Sequence, residues 1–401
     1  MDQKIETEFN GGPATASDGE LTAELYGETG QIDLTAWSAV IASDDWPMSP
    51  AVIAVQERSL AGQARIWCLA IKDRTGHCQA CAALALFRTD IVQASPKLFQ
   101  SAVSTLRRFS PKVLRMGILF CGLPIPDGGS HLRIAQNADR SAVLKCLDQT
   151  MQELARRHRA RFIVVKEFET AEMRALSGFN HLGYITGDIP PMHRLTRSFD
   201  SFDAYRDALR SSYRRQVDAS LAKFAAAGLT VRHHRGSEDI ARHFTDDFHQ
   251  LYLNVLYRND ARLEEFPASF FRDLPRVLPD HFMLTVIEDH GRPLAFAFGL
   301  DTDGCYSNLY VGVDYSENER ADLYFNAFYH PMRAAFARGV KEIKFGATSS
   351  AFKSRLGANA SPTQFFARTV SPMLQPLFGA ASGVLFPAVQ PVMPRSVFKQ
   401  E

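Results

Sequence analysis

Two stretches about two hundred residues apart repeat the same order of elements, and this repeat constrains the fold more than any other feature. In the first, VLRMGILFCGLPI (Val113 to Ile125) is an apolar run closed by proline and glycine, the pattern of a buried strand. A glycine-containing loop, PDGGSHLRIAQNADR, follows. AVLKCLDQTMQELARRHRA then places Val143, Leu147, Met151, Leu154 and Ala155 on one helical face, and RFIVVKEF is a second strand. In the other stretch, GCYSNLYVGVDY (Gly304 to Tyr315) is the strand and SENER the polar loop. LYFNAFYHPMRAAFARG is the helix, stopped at Gly339, and EIKFG is the next strand. Pro331 predicts a kink inside that second helix. Strand, loop, helix and strand occurring twice indicate an internal duplication in a mixed α/β chain.

A length of 401 residues exceeds what one hydrophobic core usually supports, so two domains are expected. The division expected from sequence is a flexible N-terminal tail (1–24), a first domain (25–195), a connecting helical segment (196–228), a second domain (229–368) and an uncharged, proline-rich C-terminal tail (369–401). Pro190–Pro191 mark the break between the halves. LTVRHH opens the second half as a strand, and HFMLTVIEDHGRPLAFAFGL is a hairpin turning at Asp289-His290-Gly291.

Forty-five basic residues balance 44 acidic ones, so no whole-protein field gathers nucleic acid, and a DNA partner is not expected. Cys78 and Cys81 form a lone C-x-x-C without a second pair, which fits reduced thiols in a cytoplasmic protein better than a metal site. His233 and His234 point to opposite sides of a strand, and His243 and His249 suggest no chelate, so no metal is expected. Gly-x-Ser-x-Gly, HExxH and Gly-x-Gly-x-x-Gly are absent, which removes support for hydrolase, metalloprotease and dinucleotide readings. The N-terminus lacks the apolar core of a signal peptide. From Thr369 to Pro394 no residue is charged, but four prolines and two glutamines would break a spanning helix. That segment is expected to pack on the body or to touch a lipid-like ligand or a membrane surface peripherally.

The most informative stretch is KEIKFGATSSAFKSRLGA (Lys341 to Ala358), where a strand stops at Phe345–Gly346 and the chain at once presents Lys353 and Arg355. Together with SSYRRQVDASLAKF, LYLNVLYRN and SNLYVGVDYSENERADLYFNAFYHPMRAAFARG, it resembles the acyltransferase domain of the GNAT superfamily, in the branch of the Fem-type peptidoglycan aminoacyltransferases. The likeness covers Arg210 to Arg368. The first half resembles a second, degenerate copy, so the resemblance implies two tandem GNAT-like domains.

The resemblance also implies a site. Two neighbouring strands, ending at Val311–Asp314 and Lys344–Gly346, splay apart to admit a thioester arm, with its pyrophosphate at the following helix. Val311, Val313, Arg320, Ala321, Leu323, Phe345 and Gly346 would then hold the donor, an acyl-CoA or an acyl-carrier-protein thioester. The GNAT loop pattern wants glycines after its Gln or Arg. Here Arg320-Ala321-Asp322-Leu323 has none, which leaves room for a carrier-protein thioester, a longer acyl-CoA or an aminoacyl-tRNA. Lys353, in Lys353-Ser-Arg-Leu-Gly357, would hold the carbonyl oxygen as it gains charge or grip a phosphate. Asp314 is either a base or a solvated turn carboxylate. Tyr324 is either an acid for the leaving group or a core tyrosine. Tyr306 and Asn308 share a strand face and would line the acceptor site. Tyr257 and Arg258 would hold an acidic acceptor, with Arg214 either joining them or lying on a solvated helix face.

The expected activity is N-acyl transfer, with a fatty acyl group suggested by 29 phenylalanines, to a small-molecule or peptide amine by direct attack. Fem-type aminoacyl transfer from tRNA and a non-catalytic binding protein are the alternatives.

Overall fold

The structure is a computed structural model that describes residues 14–17, 20–90, 115–126, 129–258, 264–302, 304–387, 389 and 395–399. Two compact units divide the chain. The first comprises residues 1–124, 129–189 and 363–388, and the second 125–128, 190–362 and 389–401. Pro190 begins the long segment of the second unit, although the strand Ile185–Leu195 runs on through both prolines.

In the first unit the strand order is Ala14–Ser17, Leu21–Tyr26, Ala64–Asp73, Cys78–Asp90, Arg115–Cys121, Ala160–Glu169 and Asn359–Thr369. The strands Arg115–Cys121 and Ala160–Glu169 run parallel and stay paired from Gly117 opposite Ala160 to Cys121 opposite Val165. The helix joining their halves, Arg140–Arg157, is capped by the Asp139 carboxylate, which accepts from the amides of Ser141 and Ala142. Its expected apolar face, Val143, Leu147, Met151, Leu154 and Ala155, is buried on the sheet with Trp67, Phe168, Phe179 and Phe366. The N-terminal segment expected to be a tail contributes two strands instead, because Leu21–Tyr26 alternates well enough to pair with Ala64–Asp73.

In the second unit the order is Ile185–Leu195, Glu342–Gly346, Cys305–Val313, Arg292–Thr302, Phe282–Asp289 and Thr230–Arg235. The hairpin turns where expected, with His290 and Gly291 at positive φ (48° and 86°). The helix Leu323–Phe336 carries Pro331 and buries Leu323, Ala327, Phe328 and Met332. Among the described residues each unit thus holds a parallel strand pair bridged by a helix and flanked by antiparallel strands, the shared architecture that the duplication implies.

The C-terminal segment is packed in places. Gln375–Leu385 is a helix whose Phe378 is buried against Phe162 in the first unit. In the second unit Val397 is buried and its carbonyl accepts from the Arg210 amide at 2.9 Å. Among the described residues no helix is long and apolar enough to cross a membrane.

Candidate active site

The second unit differs from the first in its parallel pair. The ladder between Cys305–Val313 and Glu342–Gly346 begins at Cys305 opposite Glu342 and ends at Ser307 opposite Lys344. Both strands continue past that point without pairing to each other, so they part. A register shift between Phe298 and Gly299 on the neighbouring strand leaves Leu309 as an extra residue, a bulge that bends Cys305–Val313 at the same place. The gap is a cavity of about 420 Å³ lined by Asn308–Val311 and Phe345 from the two strands, Tyr324, Phe325 and Phe328 from one helix, and Ser349 and Lys353 from the following loop and helix.

Lys353 reaches this cavity because of two backbone features. Gly346 has φ of 78° and Ser349 φ of 58°, left-handed conformations that reverse the chain between the strand and the helix Ser350–Arg355. The Lys353 Nζ lies over Gly346, 3.7 Å from where a Cβ would stand. The residue is only 2 % exposed, and among the described residues no carboxylate pairs with it. Burial alone lowers its pKa from 10.5 to about 7. His193 lies across Gly346, its Nδ1 3.3 Å from the Gly346 carbonyl oxygen. Burial, and then the nearby Lys353 charge, depress the His193 pKa, so the imidazole is held neutral. The Tyr324 hydroxyl donates to Ser349 Oγ at 2.8 Å, and burial raises its pKa.

The sequence-derived candidates divide. Lys353, Tyr324, Val311, Phe345, Asn308 and Arg258 line the cavity, and Gly346 lies beneath Lys353. Arg258 stacks on the Tyr315 ring at 3.5 Å from its centroid, and both residues line the cavity. Val313, Ala321 and Leu323 are fully buried core residues behind it. Tyr306 is also core, its ring filling the space that Gly299 leaves. Asp314 is turned away, bonded to Arg292 at 2.6 Å and to the Ser316 hydroxyl and amide. Burial raises its pKa, but those partners outweigh burial and hold it below the usual carboxylate range, which makes it a poor base. Tyr257 is exposed and bonded to Glu265, and Arg214 lies 3.9 Å from Asp207 on a helix face. Neither lines the cavity.

Sequence reasoning missed Ser349, Thr348, Tyr315 and His193. Only the TSS run before Lys353 carried a local signal, since serine and threonine favour helix starts.

The loop expected to hold pyrophosphate is otherwise engaged. Arg320 is tied to Asp289 at 2.8 Å and to Glu317 at 3.0 Å. The amides opening the next helix are already used: Tyr324 N–H donates to Asn318 Oδ1, and those of Phe325 and Asn326 donate to the Asp322 carbonyl. Asp322 itself occupies the N-cap in a left-handed conformation (φ 47°). With those donors spent and the Asp322 carboxylate paired with Lys223 at 3.0 Å, this helix start is a poor anion site.

The family model FemAB-like, described as peptidoglycan biosynthesis/recognition, matches residues 105–378. Among solved structures, the crystal structure of FemX superposes with a TM-score of 0.51 at 13% identity, covering 88% of this chain and 98% of that one. The C-terminal domain of a putative lysylphosphatidylglycerol synthetase from Agrobacterium fabrum gives 0.49 at 13% identity, covering 91% and 100%. A tandem GNAT protein from the clavulanic acid biosynthesis pathway gives 0.48 at 13% identity, covering 87% and 99%. No curated protein gives a significant sequence match.

Proposed function

The chain belongs to the FemAB-like family, a Fem-type, GNAT-like acyltransferase with two such domains, and from that premise we propose that it forms amide bonds in the split between Cys305–Val313 and Glu342–Gly346. The observation that carries this reading is the ladder ending at Ser307 with a buried, carboxylate-free Lys353 in the gap beyond it.

The acyl carbonyl of an activated donor lies in the split. An amine attacks its carbon, and the carbonyl oxygen gains negative charge toward the Lys353 ammonium, which donates a hydrogen bond to it. The tetrahedral centre then collapses, and the bond to the leaving sulfur or oxygen breaks. Tyr324 supplies the proton to that leaving atom and recovers one through Ser349, which is exposed. No carboxylate lines the cavity among the described residues, so the amine enters neutral, and the proton that its nitrogen sheds after attack passes to water.

A thioester, either acyl-CoA or on a carrier protein, is one donor class. An aminoacyl-tRNA ester is the second, and it is favoured by the occupied pyrophosphate loop together with the family. Transfer assays with acyl-CoAs of graded chain length, run beside charged tRNA with and without RNase, separate the two. Wild-type rates in Lys353→Ala with every donor would refute the reaction itself.

A further inference from the structure

Away from the cleft, two imidazoles and a carboxylate meet at the edge of the second unit's sheet. His234 lies near the end of the strand Thr230–Arg235, and Asp239 and His243 lie one turn apart on the helix Ser237–His243 that follows. Spacing along the chain sets His234 against His233 on opposite faces of a strand, so sequence alone suggests no chelate there. Gly236, at φ 83°, turns the chain between strand and helix and brings His234 to His243 instead. The two rings stack with centroids 3.8 Å apart and planes 28° apart. Both Nδ1 atoms converge on one carboxylate: that of His234 is 2.9 Å from Asp239 Oδ2, and that of His243 is 3.1 Å from Asp239 Oδ1. His243 Nδ1 is also 2.9 Å from the Asp239 carbonyl oxygen. Among the described residues no lysine or arginine pairs with Asp239, and Arg276, on the helix packed alongside, is bound by Glu238 and Asp273.

We propose that His234, Asp239 and His243 bind a divalent transition-metal ion of the zinc type. Two imidazole nitrogens and one carboxylate suit zinc, cobalt, nickel and copper, whereas magnesium and calcium want oxygen ligands. Separations of 2.9 and 3.1 Å subtend roughly 90–100° at an ion bonded at about 2.0–2.1 Å to each atom. Turning the two rings about their Cβ–Cγ bonds aims both nitrogens at it. Each Nδ1–H that donates to the carboxylate gives way to a bond to the ion, and the ring proton is carried on Nε2 instead. Asp239 and His243 are partly exposed, so water completes the coordination. The ion stands apart from the transfer reaction, because the strands Phe282–Asp289 and Arg292–Thr302 lie between Thr230–Arg235 and Cys305–Val313. Its effect is on stability: Thr230–Arg235 is the last strand in the sheet order, and an ion shared with the next helix fastens that edge.

The test is titration of the untagged full chain, stripped with EDTA, with Zn²⁺, Co²⁺ and Mg²⁺, read by thermal unfolding and by the absorption of bound Co²⁺. One Zn²⁺ per chain is expected. At roughly a hundredfold excess over its dissociation constant it should raise the unfolding midpoint by several degrees, and Mg²⁺ at the same concentration should not. His243→Ala, His234→Gln and Asp239→Asn should each weaken Zn²⁺ binding by about tenfold or more. Asp239→Asn keeps the shape of the side chain, and its metal-free midpoint should stay close to that of the stripped wild type, which separates loss of a ligand from loss of the fold. Absence of saturable Zn²⁺ binding, or equal binding by the wild type and all three variants, overturns the proposal. So does a thiolate-to-Co²⁺ charge-transfer band, which would put the ion on Cys78 and Cys81, whose Sγ atoms lie 3.5 Å apart.

Discussion

Replacing Lys353 with methionine should make the protein both more stable and inactive. The ammonium is 2 % exposed, and burial moves its pKa from 10.5 to about 7, so the charged form is roughly 5 kcal/mol less favourable in the fold than in the unfolded chain. The unfolded chain holds this proton more tightly. Stability therefore rises with pH between about 7 and 10.5, and the penalty is complete below 7. Methionine is one atom shorter but keeps most of the side chain's volume and removes the charge, so at pH 6 most of that penalty should vanish. After a discount for imperfect repacking, a net gain of about 3 kcal/mol remains, which is roughly 6–12 °C in Tm for a unit of this size. At pH 9 the wild-type penalty has fallen to about 2 kcal/mol, and the gap between the two proteins should narrow accordingly. Transfer should fall by about 10²–10³-fold, the usual cost of removing an oxyanion donor. The measurements are thermal unfolding at pH 6, 7 and 9 and a transfer assay at pH 7. A variant less stable than wild type at pH 6, or a gap that does not shrink by pH 9, refutes the buried-charge argument, and retained transfer refutes the catalytic one.

The same ionisation predicts that kcat/KM, expressed per neutral acceptor amine, falls about tenfold per pH unit once the pH passes about 7, because the free enzyme then loses the Lys353 proton; a value per neutral amine that stays flat to pH 9 would contradict it. Tyr324→Phe removes the hydroxyl bonded to Ser349 and should lower kcat by about 10²-fold with the unfolding transition unchanged. Asp314→Asn should leave the rate within about threefold while costing about 1 kcal/mol, since its carboxylate serves the Arg292 pair and the Ser316 turn; a thousandfold loss would restore it as a base. Gly312→Ala places a methyl group against the Phe296 ring and Leu251, and should cost about 1–3 kcal/mol in a denaturant titration.

Much of the fold was legible because apolar runs and helical faces are local. The strand Glu342–Gly346, the hairpin at His290-Gly291 and the face of Arg140–Arg157 were each readable from a few neighbouring residues. Lys353 was legible from its motif and its bracketing glycines. What failed depended on register. Alternation puts Tyr306 and Asn308 on one face, but Tyr306 packs over Gly299 while Asn308 borders the cavity where the bulge bends the strand, and no local pattern announces an extra residue. Asp314 ends its strand as a base should, yet Arg292, distant in sequence, claims its carboxylate. His193 is brought beside Gly346 by an antiparallel pairing across about 150 positions, which single-sequence reading cannot foresee.

The strand separation after Ser307 has a consequence for how such a protein can change. A groove whose flanks are peptide groups recognises a linear, amide-bearing guest whatever side chains flank it, as an unfilled lane in a sheet accepts any extended chain. Substitutions along those flanks can therefore accumulate while the capacity to seat an arm survives, and new selectivity must arise where lining side chains such as Arg258 meet the guest.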